Sequence, residues 1–429
     1  MSESSSETGS AARVSGFGGR PLRTLTVPSD LRTVTVSADA AGRAGPPPGS
    51  LAELGFEDCE QLIAASAVPG IPAELRNKLG LKKPAFDSLL AAALAEVPER
   101  AGLLSQAAPP DDLGRGVRTP SASIMTAAQR TAVAGGSAVV AAEAEALSGS
   151  VNLIPFMPPI RNQGGRPTCV AFALTALNEY VLTRTERLRG LSEQHLYYEI
   201  KLIDDAPRAC GTWQAKAVTA LRDRGQCLES IWAYDPTSPC DDQGILPSNA
   251  RSNGLKYRLE TVAVGARNVA AYQAHLANGR PVTVSIPVYN SWYRSNEVRR
   301  SGRITMRIGN EPANGGHALI AVGYQSSPNS PGGGHFIARN SWGITWANES
   351  PYGAGYGTIP YQYINDYAWE AYTIPPNGEG FDDEATGGAS TATKVHIKVG
   401  STVEITIEEG GPDSGPAKVS KGLRPGKVS

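Results

Sequence analysis

The chain has 429 residues, 41% of them hydrophobic, which is long enough for two or more domains with a sizeable core and excludes a wholly disordered protein. Lys plus Arg total 40 against 41 Asp plus Glu, a formal net charge of -1, so no global field draws the chain toward nucleic acid or an anionic membrane. Five cysteines, none in a CxxC pair, argue against a complete disulfide framework and against a structural zinc site.

In chain order, residues 1–50 carry Gly, Ser and Pro clusters and read as a flexible arm with one alternating stretch at 23–36. The first twenty residues lack the apolar run of a secretory signal and no window reaches an apolar membrane span, so a cytoplasmic, reducing setting is the expectation. Residues 51–97 show short helical patterns broken by Pro and Gly and predict a small all-α module. Residues 98–150 read as a linker with an Ala-rich helix over 124–147. Residues 151–376 read as one domain, helical first (170–187, 214–225) and alternating in the β manner later (281–288, 318–324, 336–339), an α+β pattern. Residues 377–429 form a tail whose 394–408 stretch alternates like a β-hairpin.

The most informative stretch is Arg161-Asn-Gln-Gly-Gly-Arg-Pro-Thr-Cys-Val-Ala-Phe-Ala173, where a Gly-rich turn delivers Cys169 to the start of a long helix. A sulfur there feels the helix dipole and unpaired amides, which favour the thiolate and predict a lowered pKa. Taken alone, such a cysteine is more often a small buried hydrophobe. Downstream come Gly315-Gly-His-Ala-Leu-Ile-Ala-Val-Gly-Tyr324 and Arg339-Asn-Ser-Trp-Gly343, at the ends of strand-like runs.

These motifs, in the order Gln163, Cys169, His317, Asn340, resemble the papain family of cysteine peptidases over roughly half the chain. The resemblance implies a papain-like two-subdomain α+β fold, a helical part and an antiparallel β part, preceded by the all-α module. It makes Cys169 the nucleophile, His317 the base, Asn340 the acceptor that orients the imidazole, and Gln163 an oxyanion donor. Trp342 matches the indole that shields the His–Asn bond, and Cys210-Gly-Thr-Trp213 resembles the loop whose backbone pairs with substrate, so Gly211 and Trp213 are candidate substrate contacts together with Trp342. Arg166 and Val170 depart from the family, which usually has Cys and Trp there. The missing cysteine implies that Cys210 is free. Cys227 and Cys240, which bracket a loop, read as separate free thiols unless the setting is oxidising.

His335 is the one rival base, since it also precedes Asn340 on a strand-like run, but it lacks the Gly-Gly-His-Ala context. No HExxH, Walker-type loop or basic aromatic stripe occurs, so the expectation is no cofactor, no metal, no nucleic acid and no membrane, with a protein or peptide as substrate. An acyl-transferase on the same residues and a catalytically silent peptide-binding module are the alternatives. The 51–97 module weakly resembles helix-hairpin-helix-like domains; its acids, Glu53, Glu57, Asp58, Glu60 and Glu74, favour a protein partner over DNA. Two roles remain open for the leader: a recruitment module separable from the 151–374 domain, or an atypical proregion with 124–147 in the cleft.

Overall fold

The eight residues Val282–Tyr289 (β3) are buried along their whole length, so both faces of the sheet they centre are covered. The computed structural model describes residues 50–109, 113–120, 149–184 and 190–376, and the backbone of 395–399 and 403–407. The expected arm at 1–49 and the Ala-rich helix at 124–147 lie outside the described residues.

The sheet is antiparallel throughout, with Ser150–Asn152 (β1), Val262–Ala263 (β2), β3, Ala313–Ser326 (β4), Gly334–Arg339 (β5), Tyr356–Pro360 (β6) and Glu370–Thr373 (β7) in the order β2-β7-β3-β4-β5-β6, and β1 on β4. Register sets the site. Ile286 pairs with His317 across β3 and β4, and Ile320 pairs with Arg339 across β4 and β5. The buried hydroxyls of β3 are satisfied: Thr283 donates to the Tyr372 carbonyl (3.1 Å), and Ser285 accepts from Gln214 (2.7 Å).

The helices Cys169–Arg184, Glu193–Ile203 and Gln214–Arg224 make the other part, and the buried Leu174, Leu177, Tyr180, Leu196, Ile200 and Leu221 join the sheet's apolar residues in one core. Ser192 caps the second of these helices by accepting from the His195 amide at 3.0 Å. Residues 395–399 and 403–407 pair as an antiparallel hairpin in a separate unit, 382–429.

Short helices Cys59–Ser66, Ile71–Leu79, Lys83–Glu96 and Ala101–Leu104 form the N-terminal module around Leu54, Phe56, Leu62, Leu75, Phe86 and Leu89. The structure differs here from the expectation of a separable recruitment module. Ile308, from the domain at 151–376, is fully buried in the module's core. Arg303, also buried, pairs with Asp58 and with Glu297 (2.9 Å), so Asp58, one of the acids read as a partner surface, serves the chain's own interior. Arg294 and Asn296 donate to the carbonyls of Ala108, Leu103 and Gln106 at 2.9–3.1 Å. The partners of this interface lie about two hundred residues apart, which no local pattern reveals.

Candidate active site

The loop before Cys169 is braced from both sides. Arg161 pairs with buried Glu179 (2.6 Å) and Glu193 (2.7 Å), and the buried Arg166 guanidinium donates to Gln194 (2.6 Å), to the Asp235 carbonyl (2.9 Å) and to Gln243. Gln163 is held by its own amide: Oε1 accepts from the Ser341 hydroxyl at 2.6 Å and Nε2 donates to the Arg166 carbonyl at 2.8 Å. Cys169 then opens its helix, wholly buried.

On the sheet side, His317 lies on β4 and Asn340 directly follows β5. Nε2 of His317 lies 2.7 Å from Asn340 Oδ1, which also accepts from the Ser341 amide at 2.8 Å. The other ring nitrogen, Nδ1, is buried and has no hydrogen-bond partner. Trp342, three residues past the end of β5, stacks on His317 with ring centroids 4.4 Å apart and planes 25° from parallel. The amide of Ala318, next to His317, reaches the Cys169 sulfur at 3.4 Å. The structure thus brings Gln163, Cys169, His317, Asn340 and Trp342 together. His335 sits elsewhere on β5, bonded to the Tyr352 hydroxyl at 3.0 Å.

The cleft between these two arms is filled by the chain itself. Residues 113–118 cross it as an extended strap, with Val117 bridging Thr212 in the parallel sense and Gly316 in the antiparallel sense. Gly114 donates to the Gly164 carbonyl (2.9 Å) and its carbonyl accepts from the Trp342 indole (2.9 Å). The Gly116 amide points at the Cys169 sulfur (3.2 Å), while Thr212 donates to the Gly116 carbonyl (2.8 Å) and Arg118 donates to the Thr212 carbonyl (3.0 Å). Side chains would not fit at two positions. A Cβ on Gly116 would lie 2.1 Å from the Pro167 carbonyl oxygen, and one on Gly114 would lie 2.6 Å from the Gln163 amide nitrogen.

This burial overturns the expectation of a depressed thiol pKa. Loss of water pushes the Cys169 thiol up to about 11, only partly offset by the amides of Ala318, Gly116, Val170 and Val117. Burial likewise pulls His317 down to about 4, against the favourable Asn340 bond and with the Arg115 charge adding to the depression. With the strap in place, the pair is a neutral thiol and a neutral imidazole at pH 7.

Of the loop residues, Gly211 lies against the Gly116 carbonyl, whereas Trp213 is buried in the main core at the start of its helix. Thr212, between them, makes the backbone pairing, and the sequence reading missed it. Ser341 and the strap were missed too; the Gly114-Arg-Gly116 alternation is the only local signal of the strap. The free Cys210 and Cys240 are corrected: they form a disulfide with Cα atoms 4.9 Å apart, and Cys59, Cys169 and Cys227 are the free thiols, all three buried. Gln243, gripped by Arg166 and donating to the Cys240 carbonyl (2.8 Å), ties that loop back toward the helix that Cys169 opens. The departure from the family at Arg166 therefore accompanies a different cysteine pairing. Among the described residues no cluster of His, Cys, Asp or Glu could hold a metal ion, and no helix is long and apolar enough to cross a membrane.

Residues 153–363 match the papain family of cysteine proteases. Over 215 residues the chain is 24% identical to an uncharacterized peptidase C1-like protein of Acanthamoeba polyphaga mimivirus, covering 48% of this chain and 65% of that one. Over 200 residues it is 27% identical to cathepsin K of Gallus gallus, covering 45% and 54%. Among solved structures, xylellain, a cysteine protease from Xylella fastidiosa, superposes with a TM-score of 0.50 at 25% identity, over 62% of this chain and 97% of that one. The chain carries a papain-family cysteine protease domain with a papain-like α+β fold, and it spans less than two thirds of the length of either curated relative.

Proposed function

We propose that this chain is a thiol protease, hydrolysing peptide bonds in protein or peptide substrates through a thioester, and that residues 113–118 hold it latent. The observation that carries this reading is the His317 imidazole, tied to Asn340 through Nε2 and left with an unpartnered Nδ1 one residue from the amide that reaches the Cys169 sulfur. Once the strap leaves, Nδ1 takes the thiol proton and the sulfur attacks the substrate carbonyl. The Gln163 side-chain amide and the Cys169 backbone amide receive the charge that develops on oxygen. His317 returns the proton to the leaving amine, the C–N bond breaks, and water attacks the thioester to release the acid and the thiol. Asn340 keeps the ring in the one tautomer that presents a bare Nδ1.

Labelling with an epoxide thiol probe, followed by peptide mapping, tests the assignment. The adduct is expected on Cys169, slowly in the full chain and faster when the strap is displaced, with loss of fluorogenic-peptide hydrolysis in parallel. An adduct confined to Cys59 or Cys227 refutes it. Products that incorporate an added amine in preference to water would favour the acyl-transferase reading.

A further inference from the structure

Arg118, the last residue of the strap to pair with Thr212, places its guanidinium in a prepared cradle. One terminal nitrogen donates to Asp204 Oδ1 at 2.8 Å and the other to the Ala206 carbonyl at 3.0 Å. The Asp204 side chain is fully buried while that of Arg118 is 20% exposed, so the acceptors lie inside the domain and the cation enters from the cleft. Lys201 builds the cradle: its ammonium donates to Asp204 Oδ2 (2.9 Å) and to the carbonyls of Ala206 (3.0 Å), Ala209 (2.8 Å) and Gly211 (3.1 Å). Asp204 therefore has a counter-charge of its own and does not depend on Arg118 for neutrality. The Cys210–Cys240 disulfide pins the same loop, and its Thr212 holds the Arg118 backbone. One rigid loop thus grips an extended chain by its backbone and its side chain together.

We infer that Asp204 and the Ala206 carbonyl form a guanidinium subsite, filled by Arg118 in the latent chain and by an arginine of the peptide substrate in the opened one. The inference rests on the peptidase reading above. When the strap leaves, two acceptors face the cleft with the spacing of a guanidinium fork. An arginine pairs with both at once, a lysine with only one at a time and an uncharged chain with neither, which leaves Asp204 Oδ1 with the Ala206 amide (3.1 Å) and the Ala206 carbonyl with Lys201 (3.0 Å). Charge-assisted contacts of this kind correspond to on the order of 10- to 100-fold in binding.

Two measurements on the full-length protein test this. In the first, epoxide alkylation of Cys169 is timed in the unmodified chain, Arg118→Ala, Asp204→Asn and the double variant. Each single variant is expected to react about 10-fold faster, and the double no faster than Arg118→Ala, because Asp204→Asn weakens a contact that Arg118→Ala already removes. Unchanged rates in Arg118→Ala, which alters only the strap, overturn the inference. In the second, a Gly116→Val chain, whose strap cannot seat, is given fluorogenic peptides with arginine scanned through the residues flanking the scissile bond. One position is expected to favour arginine over glutamine by about 10- to 100-fold in kcat/KM, and Asp204→Asn in that background to reduce the ratio to near one. Cleavage without an arginine preference, or with one that survives Asp204→Asn, overturns the subsite and leaves the peptidase reading intact. Alkylation without cleavage of any peptide refutes the peptidase reading and, with it, the substrate half of the inference.

Discussion

The helical module and the strap are successive stretches of the same leader, yet they meet the catalytic domain through different balances of apolar and polar contact. The module shares its apolar core with Ile308 and encloses the Arg303 ion pairs, so its removal would expose hydrocarbon and bare charge together. The strap buries less hydrocarbon, with Val117 in the main core and Leu113 packed at its edge. It is held by backbone hydrogen bonds to Gly164, Thr212, Gly316 and Trp342 and by the Arg118 contact, all of which water can replace. The first attachment belongs to the fold, and the second is one that a binding equilibrium can reverse.

The largest effect should come from breaking the module's side. Arg303→Ala leaves the buried carboxylates of Asp58 and Glu297 without this cation and is expected to lower stability by about 3–5 kcal/mol, read from urea denaturation. A loss under about 1 kcal/mol would mean that apolar contact alone fastens the module. Next, on the ground beneath the strap, Gln163→Ala in a Gly116→Val chain should cut turnover of a short peptide by about 10²–10³-fold with little change in KM. A rise in KM alone would make Gln163 a binding residue. Gly116→Val by itself should speed Cys169 alkylation by about 10- to 100-fold while the urea midpoint falls less than in Arg303→Ala, since the strap withdraws one core side chain, Val117, and a few hydrogen bonds. A large drop in the midpoint would erase the distinction between the two attachments.

A further effect is in pH. His317 is held down to about 4 by burial under the strap and returns toward its ordinary 6.5 when water reaches it. The opened site therefore binds the proton more readily, and the strap's hold is complete above about pH 6.5 and weakens as pH falls toward 4, by up to about tenfold per unit. Timing alkylation at pH 7 and at pH 5 in the full chain and in Gly116→Val separates this from the thiol's own pH dependence; a ratio of the two rates that is equal at both pH values would remove the linkage.

The order of Gln163, Cys169, His317 and Asn340 is legible because each sits in a short run whose neighbours have local tasks: the Gly turn before the helix, the small residues beside His317, the Asn-Ser-Trp that leaves a strand. The strands at 281–288 and 318–324 are legible from their β-like apolar runs, although both are buried on both faces and not on alternate residues. What the sequence hides is non-local. Ile308 and Arg303 carry no mark that their partners lie in a helical module, and the Cys210–Cys240 bond depends on how Arg166 gathers a loop that composition leaves free. The strap hides for another reason: residues that must cross a thiol and an amide without side chains look like a linker, because glycine marks both flexibility and close approach.

Trp342 gives the cleft an optical reporter. Its indole N–H donates to the Gly114 carbonyl while its ring lies on His317, so departure of the strap exchanges a peptide carbonyl for water on the chromophore's most polarisable edge. Of the six tryptophans, Trp292 and Trp346 stand within 6.4 Å and 5.7 Å of it, close enough to exchange excitation with it. Opening of the cleft should therefore register as a red shift in intrinsic emission, with no label and before any bond is cut.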